Sequence, residues 1–222
     1  MKFSTSRSTL LKPVQAVIGV VERRQTMPIL ANLLLVAKGN ELAVTATDLE
    51  VELVAKVGIE KINTPGEITV PGRKLLDICR SLPDDASILL ETDGERLILK
   101  SGRSRFVLGT LPAADFPVVD DVQAVHTLSL GQAELRLLLE KTQFAMAQQD
   151  VRYYLNGLLL ETGKKAIRAV ATDGHRLAIC ELPVADQKSG THQVIIPRKG
   201  VQELQRLLSD EGELALTTGS NH

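Results

Sequence analysis

The chain has almost no aromatic residues. Its 222 residues include no tryptophan, two tyrosines and four phenylalanines. Leu, Val, Ile and Ala must therefore do the packing that large rings often do. Cysteine is equally scarce: Cys79 and Cys180 stand apart with no CxxC pattern. That excludes a disulfide framework or a cysteine zinc site and points to a reducing compartment. No run approaches the ~18 apolar residues that a membrane span needs, and Met1 to Arg7 contain no apolar signal core. The expectation is a cytoplasmic protein without a membrane partner. Charge of one sign is missing as well, because 26 cations offset 27 acids to give a net charge of −1. Proteins that grip nucleic acid by counterion release are usually basic overall. Any DNA contact here must therefore use a local cationic face. No Walker loop, dinucleotide fingerprint or HExxH sequence occurs. His126, His175, His192 and His222 show no ligand spacing, so no metal and no cofactor is expected.

What the chain does have is itself, twice. Thr47-Asp48 returns as Thr172-Asp173, an offset of 125 residues. The same offset relates Leu33-Leu34-Leu35 to Leu158-Leu159-Leu160, Leu30 to Leu155 and Arg73-Lys74 to Arg198-Lys199. Four separated matches at one spacing predict tandem copies of one structural unit, over 1–118 and 126–222. Residues 94–108 of the first copy would map to 219–233, so the second copy is expected to be cut short and the chain to be part of a longer array.

Periodicity gives each copy a few helices and many strands, an α+β class. In the first copy an extended start at Lys2–Thr5 leads to a helix capped by Ser8 or Thr9. Pro13 is expected in its first turn and Glu22-Arg23-Arg24 at its end. Strands are predicted at Asn32–Val36, around Leu42–Ala46, from Leu49 to Val57, at Gly66–Val70, Ser87–Thr92, Arg96–Lys100 and Arg105–Thr110. The parity switch between the second and third of these puts a turn near Thr47-Asp48. A short helix is predicted at Arg73–Leu82, and Asp93-Gly94 signals a hairpin. Leu111 to Pro117, with two prolines, reads as a stiff, extended linker. The second copy repeats the order, with helices at Gln132–Met146 and Arg198–Leu208 and strands at Thr127–Leu130, Gly157–Glu161, Ala166–Ala171, Arg176–Glu181, Val194–Pro197 and Glu213–Thr217.

Chemistry has few candidates. Asp173 lies two residues from His175, which admits an acid–base pair. The competing reading is a turn in which Asp173 accepts backbone hydrogen bonds. The repeat favours the turn, since Asp48 holds the matching place without a histidine. Asp84-Asp85 and Asp120-Asp121 read as solvated loops. Tyr153 and Tyr154, beside Arg152, suit base stacking; the alternative is a strand entry with one ring buried. Arg96, Lys100, Arg103 and Arg105 could contact phosphate or an acidic patch on another subunit; beside Phe106 and Leu108 the second fits better, because charge around an apolar centre resembles an interface.

Four longer motifs then add a resemblance. Leu111-Pro112-Ala113-Ala114-Asp115-Phe116-Pro117, Gln149-Asp150-Val151-Arg152-Tyr153-Tyr154-Leu155-Asn156-Gly157, Ala171-Thr172-Asp173-Gly174-His175-Arg176-Leu177 and Pro197-Arg198-Lys199-Gly200 are typical of one family. The whole chain resembles the N-terminal part of the bacterial replicative sliding clamp, the β subunit of DNA polymerase III. The resemblance implies a DNA-clamp fold of tandem domains, each with two helices and antiparallel sheets, and a third domain beyond this chain. It implies a non-catalytic processivity factor whose full-length homodimer closes around duplex or primed DNA, with the helices lining the hole. Arg24, Arg73, Arg136, Lys141, Arg198 and Lys199 would supply a mildly cationic wall, and Arg24, Gln149, Arg152, Tyr153 and Tyr154 would meet DNA. Gln148 stands where some relatives have histidine. A peptide cleft for the polymerase III catalytic subunit, the clamp loader and repair polymerases would use Leu155, Thr172, Gly174, His175, Arg176 and Leu177. Ile78, Leu82, Phe106 and Leu108, ringed by Arg96, Arg103 and Arg105, would form the subunit interface. Two rivals remain: a hydrolase using Asp173 and His175, and a sheet-rich scaffold without a DNA role.

Overall fold

The computed structural model describes residues 1–21, 27–119, 124, 126–184 and 191–219. The chain divides into two units, Met1–Val118 and Val119–His222. In the first, strand β1 (Lys2–Ser6) runs directly into helix α1 (Arg7–Val17). The cap is Ser6, whose Oγ accepts the Thr9 amide at 3.1 Å. Ser8 and Thr9, predicted as caps, lie inside the helix because the strand delivers its own last residue to the capping position. Leu10, Val14 and Val17 form the buried stripe. Pro13 is not in the first turn: it sits mid-helix with its ring buried, and it removes the amide that would bond the Thr9 carbonyl. After Val17 the chain tightens into a 3-10 turn over Ile18–Val20. The apolar spacing continues past the end of the α-helix, which is why sequence periodicity overran it. The predicted end at Glu22-Arg23-Arg24 lies outside the described residues.

Strands β2 (Asn32–Lys38), β3 (Glu41–Thr47), β4 (Glu52–Gly58), β5 (Lys61–Thr64) and β6 (Gly66–Pro71) precede helix α2 (Gly72–Ser81). Strands β7 (Ser87–Asp93), β8 (Arg96–Ser101) and β9 (Ser104–Gly109) follow it. They form two antiparallel sheets, ordered β4-β3-β2-β6 and β5-β1-β7-β8-β9. One apolar core joins both sheets to the helices, with Phe3, Leu10, Leu35, Leu75, Leu90 and Leu99 fully enclosed. Strand β5 had no sequence signal, since Ile62 is its only apolar residue; it is held by pairing Ile62 with Phe3. Leu49 is not a strand residue but an exposed turn residue with a positive φ of 80°.

The segment 111–117 is no free linker. Thr69, fully buried, donates its hydroxyl to the Leu111 carbonyl at 2.8 Å and accepts the Leu111 amide at 3.2 Å and the Asn32 amide group at 3.0 Å. Ala113–Asp115 form a 3-10 turn, and Phe116 is buried against Ile29, Leu30 and Leu34. The two prolines stiffen the segment, but the phenylalanine docks it.

The second unit contains β10 (His126–Gly131), α3 (Gln132–Thr142), β11 (Gly157–Thr162), β12 (Ala166–Thr172), β13 (Leu177–Pro183), β14 (His192–Pro197), α4 (Arg198–Leu207) and β15 (Glu213–Thr218). Helix α3 stops at Thr142, and Gln143–Ala145 form a 3-10 turn, so Met146 is extended and not helical as predicted. The sheets are β13-β12-β11-β14 and β10-β15, over a core that includes Leu128, Leu138, Leu158 and Val201.

The elements the two units have in common come in one order, with no counterpart of β5, β8 or β9 among the described residues of the second, but they do not keep one offset. Helix α3 begins 125 residues after α1, whereas α4 begins 126 after α2. The register agrees: Asn32 faces Pro71, while Gly157 faces Pro197. One extra residue therefore enters between β13 and β14. Arg198 is the counterpart of Gly72, and Lys199 that of Arg73, which corrects the predicted pairing of Arg73-Lys74 with Arg198-Lys199.

Candidate functional site

Two loops of the second unit carry most of the predicted site. The first is the turn between β12 and β13. Thr172 Oγ1 accepts the Gly174 amide at 3.1 Å and donates to the Arg176 carbonyl at 2.7 Å. Asp173 Oδ1 accepts the amides of His175 and Arg176, each at 3.0 Å, and Oδ2 accepts Arg176 Nε at 2.9 Å. The His175 amide, then that of Arg176, holds the Asp173 carboxyl below the ordinary carboxylate range. This carboxylate is committed to shaping a turn and to an arginine. That overturns the acid–base dyad.

The first unit builds the same turn. Thr47 Oγ1 accepts the Leu49 amide at 3.1 Å, and Asp48 Oδ1 accepts those of Glu50 and Val51 at 3.1 and 2.8 Å. Gly174 has φ +88° where Leu49 has +80°. Thr-Asp is thus the structural part of the motif, and His175 and Arg176 are what the second unit adds.

The second loop, 149–156, opens at Gln149 with φ +57°. Asp150 and Asn156 clasp it: the Asp150 amide donates to Asn156 Oδ1 and Asn156 Nδ2 donates to the Asp150 carbonyl, both at 2.9 Å. Arg152 grips the Asp150 carboxylate through Nε at 3.0 Å and a terminal nitrogen at 2.9 Å. Those side-chain bonds, with the Arg152 amide, hold the Asp150 carboxyl down to about 2. The Arg152 guanidinium lies against Gly174: a Cβ added there would come within 3.2 Å of it. The two loops therefore meet, and Gly174 serves both the left-handed turn and the close approach.

Around this junction the surface is apolar. Tyr153 and Tyr154 ride on a 3-10 turn, not a strand entry, and both rings are exposed, packed edge to face at 6.0 Å. Leu155 is half-buried, and Leu177 is 61% exposed at the start of the edge strand β13. Sequence reading missed two neighbours, Ile179 and Phe144, each 58% exposed. Alternation along β13 from Leu177 gives Ile179; Phe144 could have been found where the first copy has Gly19.

The cationic wall residues divide. Arg73 donates to the Val21 carbonyl at 3.0 Å, and Arg198 to the carbonyls of Met146 and Ala147 at 3.2 and 3.3 Å. Val21 and Met146 are counterparts, so each arginine also fastens its unit. Arg136 is paired with Glu140 and Asp210, at 3.2 and 2.6 Å, which neutralises its charge. Lys141 is exposed and Lys199 half-buried, while Arg24 lies outside the described residues. In the first unit, Leu82 and Leu108 are buried in the unit's own core, Ile78 and Phe106 pack partly against it, and Arg96, Arg103 and Arg105 are exposed. Strand β9, which carries Arg105, Phe106 and Leu108, is a sheet edge. No group of three or more His, Cys, Asp or Glu suited to a metal occurs among the described residues, and no helix there is long and apolar enough to cross a membrane.

Tandem α+β units, one with an exposed apolar junction between two tightly hydrogen-bonded loops, define a protein built from repeated domains. The chain belongs to the DNA polymerase III β subunit family: residues 1–120 match the family's N-terminal domain and residues 129–222 its central domain. It is 56% identical over its whole length to the beta sliding clamp of Pseudomonas putida and 52% identical to that of Escherichia coli. Among solved structures, the sliding clamp of Pseudomonas aeruginosa bound to griselimycin matches with TM-score 0.94 at 55% identity, over 99% of this chain and 60% of that one. The β protein of Caulobacter crescentus matches with TM-score 0.92 at 43% identity, covering 99% and 61%. The chain spans 61% of the length of the curated relatives it matches.

Proposed function

We propose that this chain is the two-domain portion of a sliding clamp, a processivity factor that encircles duplex DNA at primed sites and tethers the polymerase III catalytic subunit, the clamp loader and repair polymerases. It works in the cytoplasm as part of a full-length homodimer and supplies no catalytic step of its own, serving a DNA-directed DNA polymerase. The observation that carries the reading is the loop junction of the second unit. Leu155, Leu177 and Tyr154 offer apolar surface, and Arg152 and Arg176 are already oriented by carboxylates, so little side-chain entropy is lost when an extended peptide docks. The domain boundaries near residues 118 and 126, and the interface built on Ile78, Phe106 and the Arg96–Arg105 edge, belong to the same proposal. Near-neutral net charge supports it too, because a ring that holds DNA by topology needs only a weakly cationic wall. Arg24, Arg73, Gln149, Arg152, Tyr153, Tyr154, Arg198 and Lys199 form the proposed DNA face.

The test uses the full-length protein on primed single-stranded circles with its polymerase and clamp loader. Leu177→Ala should weaken engagement of both polymerase and clamp loader and shorten the synthesised strands, while clamps already on the circles stay there. Reversal of charge at Arg24, Arg198 and Lys199 should weaken loading. Unchanged product lengths with Leu177→Ala, together with unchanged loading after charge reversal, would overturn the reading in favour of a scaffold without a DNA role.

A further inference from the structure

The internal repeat acts as its own control. Both units build the Thr-Asp turn with the same three amide-to-side-chain hydrogen bonds, so the side chains that differ around it are not needed for those bonds. Among the side chains that differ, two are of interest as a pair. Where the second unit has Phe144 the first has Gly19, and where it has Arg176 the first has Val51. In the structure these two meet: the Arg176 guanidinium carbon lies 5.7 Å from the centre of the Phe144 ring, within cation–π range. Phe144 is 58% exposed, so its ring does little for the core. Arg176 is held on its Nε side by Asp173 at 2.9 Å.

We propose that Phe144 is a positioning residue for Arg176, and that together they select partner peptides carrying a carboxylate beside apolar residues. This rests on the peptide-docking reading above. A free arginine side chain loses rotamer freedom when it is fixed. Here the carboxylate of Asp173 and the ring of Phe144 fix it before any ligand arrives. The guanidinium edge away from Asp173 then presents its remaining N–H groups to a peptide carboxylate, while Leu155 and Leu177 receive the apolar side chains.

The test uses the 222-residue chain and two probes, the acetylated tetrapeptide amide Leu-Ala-Leu-Asp and its Leu-Ala-Leu-Asn counterpart. Binding is followed by NMR titration, together with the Arg176 Nε–H signal. Phe144→Ala should weaken the Asp peptide about threefold or more, in line with the modest worth of an exposed cation–π contact. It should change the Asn peptide less, and Phe144→Tyr should restore the wild-type values. Equal weakening of both peptides overturns the proposal, because a plain apolar contact would act that way. So does an Arg176 Nε–H signal that Phe144→Ala leaves unshifted, whatever the peptides do. A wild-type chain that binds neither peptide but shows the Arg176 signal moving in Phe144→Ala removes the peptide selection while supporting the positioning.

Discussion

At the scale of single residues, the repeat separates strain from function. Leu49 and Gly174 hold equivalent places with φ near +80° and +88°, a region that costs a non-glycine residue roughly 1–2 kcal/mol. Leu49 is 57% exposed, so little packing offsets that cost. Leu49→Gly should therefore stabilise the chain by about 0.5–1 kcal/mol, after the added freedom of the unfolded glycine is deducted. Gly174→Ala should do the opposite, by about 1–2 kcal/mol, and should make the Arg152 guanidinium give way slightly, since the added Cβ would lie 3.2 Å from it. Denaturant midpoints measure both, and a Leu49→Gly chain no more stable than wild type would refute the strain argument. The Asp173–His175 spacing shows why residue chemistry is hard to read from sequence. Spacing brought two titratable groups near each other, but the backbone amides of His175 and Arg176 claimed the carboxylate first.

At the scale of elements, the strands and helices with a strong apolar period were legible, and the rest failed for identifiable reasons. Helix α1 was overrun because Ile18 and Val21 keep the helical spacing while the backbone tightens to a 3-10 turn. Strand β5 was silent because one apolar residue, paired across to Phe3, suffices at a sheet edge. The repeat was legible, but its slip from 125 to 126 was not, since the extra residue falls between β13 and β14, where the two copies share no motif. The loop residues of the candidate site stand in readable motifs, but what they touch does not follow from those motifs: the Asp150–Arg152 pair depends on how the loop folds, and Arg176 lies over the ring of Phe144, far from it in sequence. Segment 111–117 was misread as a linker because prolines signal stiffness and say nothing of docking. Phe116→Ala tests the docking directly. Removing a ring only 3% exposed should cost the first unit ~3 kcal/mol and make the segment's peptide bonds open to protease. Unaltered stability and cleavage would return the segment to the status of a linker.

At the scale of the whole chain, the two cores share no residue, and each unit should answer to its own chemistry. All four histidines fall after Val118, so the titration of imidazoles should act on the second unit. There, His126 stacks on His192 with ring centres 4.6 Å apart. Burial, and then the neighbouring imidazole, lowers the His126 pKa from its ordinary value of 6.5. The sign follows from linkage: the unfolded chain takes up a proton near 6.5 that the folded chain resists. The stabilisation is therefore fully present above that value and is lost as pH falls through the lowered folded value. Calorimetry should resolve two transitions, as expected of a chain with two cores. Going from about pH 7.5 to about pH 5.5, a range in which imidazoles titrate, should lower the second unit's transition and leave the first nearly fixed. Leu138→Ala, in the second core, identifies which transition is which by costing that unit about 2–5 kcal/mol. His126→Phe should flatten the pH response of the second unit, because no proton is then taken up at that site on unfolding. Parallel movement of both transitions with pH would show that the acid response does not originate in the stacked imidazoles.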